Sequence, residues 1–289
     1  MSDTTTLVAG LYFGEGPRWH EGRLWFSDFY AHAVKSVSEA GQLRTEVELD
    51  DQPSGLGWLP DGRMLVVAMK ARAVKRLESS GLVLHADISH LTAHLCNDMV
   101  VDAQGSAWVG NFGFDLDSAL KARGLEVLDN HPVTNLVRVD SDGSVHLAAA
   151  DMHFPNGSVI TTDGQTLIVV ETLSSCLTAF TIRPDKSLGN RRVWAALPGV
   201  APDGICLNDS GQVWVSNAIA PEVLLVAQGG EVVQRIATSQ PCYACMLGGS
   251  DGKTLFAVTA ESSDGAHAAA SPTGKIETVR VSSARAGWP

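Results

Sequence analysis

Three residues carry oxygen donors inside matching turn signals: Glu15 in Gly14-Glu15-Gly16-Pro17, Asn156 in Phe154-Pro155-Asn156-Gly157, and Asp203 in Ala201-Pro202-Asp203-Gly204. Proline and glycine fix a tight turn and remove bulk beside the central residue, so its side chain can project. Two carboxylates and an amide oxygen balance a divalent charge with hard ligands and leave room for water or substrate. Such a set suits Ca²⁺ best, with Mg²⁺, Mn²⁺ or Zn²⁺ as alternatives. Any one of these turns alone would read as an ordinary Asn-Gly or Asp-Gly. Their recurrence at one register of a repeat turns them into a candidate metal site. Asn97 falls at the same register, as a fourth ligand or a substrate hydrogen-bond donor. Asp98 beside it is expected at the substrate or bracing the site from behind. Ser54 is small and polar where a substrate hydroxyl could approach, and Ala244 contributes no chemistry.

The elements that position these residues are written as a sixfold phrase. Each copy is a turn ending in glycine followed by a short apolar strand, as in Glu21-Gly22 then Leu24-Trp25-Phe26, or Ser210-Gly211 then Val213-Trp214-Val215. The glycines Gly22, Gly62, Gly105, Gly164, Gly211 and Gly252 lie 40, 43, 59, 47 and 41 residues apart. That is the period of a β-propeller blade. Ser54, Asn97, Asn156, Asp203 and Ala244 each stand eight residues before a glycine, and Glu15 seven. Further strands are expected at 33–37, 74–77, 133–139, 177–182, 223–226 and 276–281, with tight turns leading to a fourth strand. The run 5–13 precedes the first phrase and is expected to complete the last blade, so that no sheet edge stays open. The fold class is therefore all-β, a six-bladed β-propeller with a central metal site, spanning 1–289 as one domain. The long third interval places an insertion at 114–130, a potential lid. There Leu116, Leu120, Leu125 and Leu128 suggest one short amphipathic helix. The stretch 262–273 reads as a mobile loop.

Composition bounds the function. The net charge is −11, and no basic run interleaves with aromatics, which argues against nucleic-acid binding. No window reaches the length of a membrane span, and the N-terminus lacks a secretory pattern. Five cysteines at irregular spacing fit a reducing cytoplasm better than a disulfide framework. The pair Cys242 and Cys245 is read as small buried residues on an inner strand. His32, His85, His90 and His94 show no zinc spacing and are assigned to the surface.

The chain resembles the SMP-30/gluconolactonase/LRE family over nearly its whole length. The carrying segments are Gly14-Glu15-Gly16-Pro17-Arg18-Trp19, Ser54-Gly55-Leu56, Asn97-Asp98, Phe154-Pro155-Asn156-Gly157, Pro202-Asp203-Gly204-Ile205 and Met246-Leu247-Gly248-Gly249. The resemblance implies one metal on the propeller axis held at Glu15, Asn156 and Asp203, contact of Asn97 with metal or substrate, and lactone hydrolysis. Sugar-lactonase members commonly place an arginine two residues before the blade-three asparagine, where this chain has Leu95. It also reads Gly110-Asn111-Phe112-Gly113-Phe114-Asp115 where those members have a Met-containing segment. Asn111 and Phe114 thus become candidate substrate contacts, and the substrate is expected to be less polar than an aldonolactone. Asp203 is the expected general base, with His153 a poorer candidate. The alternatives are ester or phosphotriester hydrolysis at the same metal, or a binding propeller with a structural ion; the partner in every catalytic case is a small lactone or ester.

Overall fold

The computed structural model describes residues 3–289 as six four-stranded antiparallel sheets arranged as the blades of a propeller. The innermost strands are Gly14–His20, Pro53–Trp58, Cys96–Val101, Pro155–Ile160, Pro202–Leu207 and Cys242–Gly248. Each sixfold phrase forms the turn and second strand of its blade. The second strands are apolar because both faces are covered by neighbouring blades. Phe26, Trp108, Trp214 and Phe256 from these strands are all but fully buried, each contributing roughly 1.5–3 kcal/mol of burial. The expected third strands lie at Ala33–Ser38, Ala73–Glu78, Thr134–Val139, Cys176–Ile182, Glu222–Val226 and Gly274–Arg280.

The ring closes as the sequence predicts. Thr5–Leu11 pairs antiparallel with Gly274–Arg280 and becomes the outer strand of blade six. The chain's first strand thus completes its last sheet.

Two insertions depart from their expected form. The blade-three segment makes two helices, α1 (Leu116–Arg123) and α2 (Glu126–Asp129), rather than one. Gly124, at φ +58°, ends α1 and turns the chain. Leu125 and Leu128 remain exposed, and the residue α2 buries is Val127. The segment expected as a mobile loop contains α3 (Gly265–Ala270), whose first turn is capped by the Asp264 carboxylate accepting from the His267 backbone N–H. Among the described residues no helix is long and apolar enough to cross a membrane.

Candidate metal centre and active site

The repeated register becomes a ring of side chains at the start of the inner strands. In every blade the pairing of inner and second strand slips at or next to this position, for example between Pro53 and Leu56, Pro155 and Ser158, and Pro202 and Ile205. A slip of this kind bends the strand and re-aims a side chain out of the alternating pattern. Here it turns Glu15, Ser54, Asn97, Asn156 and Asp203 toward the axis, all of them buried.

Their hydrogen bonds leave one conspicuous gap. Asn97 donates from Nδ2 to Asn156 Oδ1 at 2.8 Å, and Ser54 Oγ donates to Asn97 Oδ1 at 3.4 Å. Asn156 donates in turn to Thr172 Oγ1 at 3.2 Å, so that both ends of its amide are engaged and its orientation is fixed. Asp203 Oδ1 is buried with no partner at all. Burial pushes the Asp203 carboxyl well above its ordinary value, and the Asp98 charge adds to this. Burial likewise raises Glu15, helped by repulsion from Asp203 and Asp98. Two buried carboxylates that disfavour each other's charge, an orphaned oxygen and a fixed amide oxygen make a donor set that fits a divalent cation. Histidine and cysteine take no part in it.

The glycines that follow these residues serve blade packing. A Cβ on Gly157 would lie 2.5 Å from Asp203 O, and one on Gly204 2.6 Å from Ala244 Cβ, so neighbouring inner strands touch through bare backbone. Blade three carries Asp98 in this place, and its side chain goes elsewhere. It pairs with Arg18 at 2.7 Å and accepts from Met99 N at 2.8 Å. Arg18 also donates to the carbonyls of Leu56, Pro17 and Met99. Asp98 is therefore a brace between blades one and three and does not line the cavity over the axis, where the sequence also allowed it a substrate contact.

A second repeated position, unrecognised in the sequence, holds the loops that lead into the site. Asp28, Asn111, Glu171 and Asn217 follow the phrase glycines by six or seven residues, at the ends of second strands. Asp28 accepts from Phe13 N at 2.9 Å, Glu171 from His153 N at 2.9 Å, and Asn217 from Ala201 N at 3.2 Å. Each tether lies two or three residues before Glu15, Asn156 or Asp203. Asn111 is the blade-three copy: its oxygen accepts from Thr134 Oγ1 at 2.6 Å and its amide donates to Asn135 O at 2.7 Å. With both ends engaged and the residue fully buried, Asn111 is a structural brace, not the substrate contact expected from the sequence.

Over the axis opens a cavity of ≈ 200 Å³ whose floor includes Glu15, Asn97, Asn156 and Asp203. Ser54, expected at the substrate, does not line the cavity and instead donates to Asn97. The walls are apolar and come from loops of several blades, Phe13, Met69, Leu95, Phe112 and Phe154, and from Tyr243 on the inner strand of blade six. Phe112 packs on Phe154 with centroids 4.4 Å apart. Phe114, expected at the substrate, instead stacks on His131 outside the cavity; the aromatic that faces inward is its neighbour but one, Phe112. Leu116, Asp117 and Leu120 of α1 line the cavity from one side and Ser263, just before α3, from another. The two insertions meet where Lys121 Nζ lies 3.2 Å from Asp264 Oδ2.

The histidines need one correction. His90 is exposed, but His94 lines the cavity with its Nδ1 buried and unpartnered. His32 and His85 are half-buried and bonded to the Asp51 and Asp140 carbonyls. His153 points away from the axis, its Nδ1 2.9 Å from His131 Nε2. Cys242 and Cys245 are buried free thiols on the inner strand of blade six, as expected, and burial pushes both up.

Known proteins share this architecture. A pentonolactonase of Haloferax volcanii is 23% identical over 269 residues, 90% of this chain and 86% of that protein. A solved gluconolactonase from Xanthomonas campestris is 25% identical, with a TM-score of 0.73 over 94% of this chain and 88% of its own. A calcium-binding regucalcin from Agrobacterium tumefaciens superimposes with a TM-score of 0.80 at 20% identity, covering 100% of this chain and 96% of that one. The family model for the SMP-30/Gluconolactonase/LRE-like region matches residues 13–261, which contain every axial residue named above. The chain belongs to the SMP-30/gluconolactonase/LRE-like family.

Proposed function

We propose that this protein is a metal-dependent lactonase whose substrate is less polar than a simple aldonolactone. The observation that carries the reading is Asp203 Oδ1, a buried carboxylate oxygen without a partner on the floor of a substrate-sized cavity. The lactone-acting relatives in Haloferax and Xanthomonas support the reaction class, and the calcium-binding regucalcin supports a divalent ion. Glu15, Asn156 and Asp203 would hold that ion, with Asn97 beside them. When bound, it polarises the ester carbonyl and makes water more acidic.

The chain's own groups do the rest. The Asp203 carboxylate oxygen left free of the ion takes the proton from the attacking water and returns it to the ring oxygen as the C–O bond breaks. The products are an alcohol and a carboxylic acid on one chain, and the acid ionises at neutral pH. Thr172 and Asn97 hold the Asn156 amide from both ends, so its oxygen keeps its direction during turnover. The walls exclude water and supply contacts to an apolar arm of the substrate. Leu95 lines the cavity where an arginine would grip hydroxyl groups, which is why a polyhydroxylated ring is disfavoured. Helix α1 and the α3 segment act as a lid over the bound ring, joined by Lys121 and Asp264.

The deciding experiment is a panel of lactones, aryl esters and phosphotriesters, run on chelated protein with Ca²⁺, Zn²⁺, Mn²⁺ or Mg²⁺ added back. Lactones with alkyl or aryl substituents should turn over fastest, and only with metal. Turnover confined to aryl esters or phosphotriesters would reassign the bond, and turnover without metal would remove the ion from the mechanism. Asp203→Ala should lose both metal binding and at least about 10²–10⁴ in rate.

A further inference from the structure

The cavity is electrostatically one-sided. Among the described residues lining it are four carboxylates, Glu15, Asp115, Asp117 and Asp203, against one basic residue, His94, and no lysine or arginine. A divalent ion offsets Glu15 and Asp203 but leaves the other two on the lid side, where Asp115 caps α1 by accepting from Ser118 N and Oγ and Asp117 carries no such cap. The nearest cation there, Lys121, is exposed and paired with Asp264 outside the cavity.

Beside Asp117 lies a group of aromatic rings. Phe13 sits at their centre, 4.8 Å from Tyr243, 5.4 Å from Phe29 and 6.5 Å from Tyr30, centroid to centroid. Tyr30 and Asp117 converge at Gly265: a Cβ there would lie 2.9 Å from the Tyr30 hydroxyl and 3.6 Å from Asp117 Oδ2. Burial pushes the Asp117 carboxyl up, partly countered by Lys121, with repulsion from Asp264 and Asp115 adding to the rise. Aromatic rings beside a carboxylate that Lys121 offsets only in part favour an organic cation, since ring quadrupoles and the charge act in the same direction.

We propose that the cavity takes a substrate whose apolar arm carries an amine, protonated or quaternary, remote from the ring carbonyl, and that it rejects anionic substrates. The ring chemistry rests on the lactonase reading; the charge preference does not.

The test is binding first, then turnover, on metal-loaded full-length protein. Calorimetry with choline, its neutral isostere 3,3-dimethylbutan-1-ol and the anion 3,3-dimethylbutyrate should rank them in that order, choline tighter than the alcohol by about tenfold. Asp117→Asn and Phe13→Leu should each narrow that ratio. Choline binding no tighter than the alcohol, including failure of both to bind, overturns the proposal. Three lactones sharing one arm, ended by trimethylammonium, tert-butyl or carboxylate, should follow the same order in kcat/KM. A binding preference for choline without lactone turnover would sink the lactonase reading and leave the charge assignment standing. Lactone turnover led by the neutral or anionic arm would do the reverse.

Discussion

Glu15 and Asp203 are the least comfortable residues in the molecule, and the discomfort has a measurable sign. Both carboxyls titrate above their ordinary range because they are buried, and each lies near other carboxylates. In metal-free protein the folded state therefore keeps protons that the unfolded chain releases near pH 4. Where the folded state binds more protons, stability falls as pH rises. The melting temperature of chelated protein should thus drop from about pH 4 upward through the raised carboxyl values, and saturating metal should abolish that slope. Glu15→Gln should raise the melting temperature of the metal-free protein near neutral pH while weakening its response to metal. A metal-free protein equally stable across this window would remove the carboxylate pair from the account. Leu95 offers a complementary test on selectivity. Leu95→Arg places a hydrogen-bonding cation on a cavity wall otherwise without one, and should shift kcat/KM toward hydroxylated lactones over apolar ones by about tenfold.

At the scale of elements, the site depends on loops held at their backs. Asn217 binds Ala201 N with its oxygen and Glu222 Oε1 with its amide, the latter at 2.9 Å, and so ties the approach to Asp203 to the end of a strand. Asn217→Ala removes both bonds, at about 1–3 kcal/mol for the groups left unpaired. It should also weaken metal binding by about 10–100-fold, the usual cost of losing an outer support. A metal titration by calorimetry checks this, and unchanged affinity would show that Asp203 is held by its strand alone. The same elements explain what could be read beforehand. Glu15, Asn97, Asn156 and Asp203 were legible because the inner-strand register recurs in every blade and the axis collects it. The braces Asp28, Glu171 and Asn217 recur too, but Asp, Glu and Asn at strand ends resemble turn formers, so their spacing passed unnoticed. Asn111 belongs to that set, which is why it was misread as a substrate contact. The cavity wall follows the repeat as well: Phe13, Leu95 and Phe154 stand two residues before Glu15, Asn97 and Asn156, and Phe29, Met69 and Phe112 seven after a phrase glycine, but apolar residues at strand ends resemble ordinary core. Phe112 rather than Phe114 turns inward because it holds the repeat position of Phe29 and Met69, which also line the cavity.

For the whole molecule, the axial ring stays in register only while the propeller stays closed, and the strand pairing that closes it is reinforced by one buried carboxylate. Glu277 accepts from Ser239 N at 3.1 Å, Ser239 Oγ at 2.6 Å and Thr259 Oγ1 at 2.9 Å, and also from Thr4 Oγ1 just ahead of the first strand. Burial alone would raise this carboxyl, but the donors outweigh it and its value is lowered. The linkage is therefore opposite to that at the axis: the stabilisation is present above the ordinary glutamate value and is lost as pH falls through the lowered one. Glu277→Gln keeps the shape and loses the charge, weakening bonds that contribute about 1.5–3 kcal/mol each when charged. Because Thr5–Leu11 is held by one neighbour only, the loss should appear there first. Hydrogen exchange should show the amides of 5–11 opening before those of the inner strands, in the variant at neutral pH and in the native chain on acidification. Metal affinity should fall only under conditions where that strand has opened. Uniform loss of protection across all six blades would instead mean that the ring unfolds as one unit, with closure no weaker than any other seam.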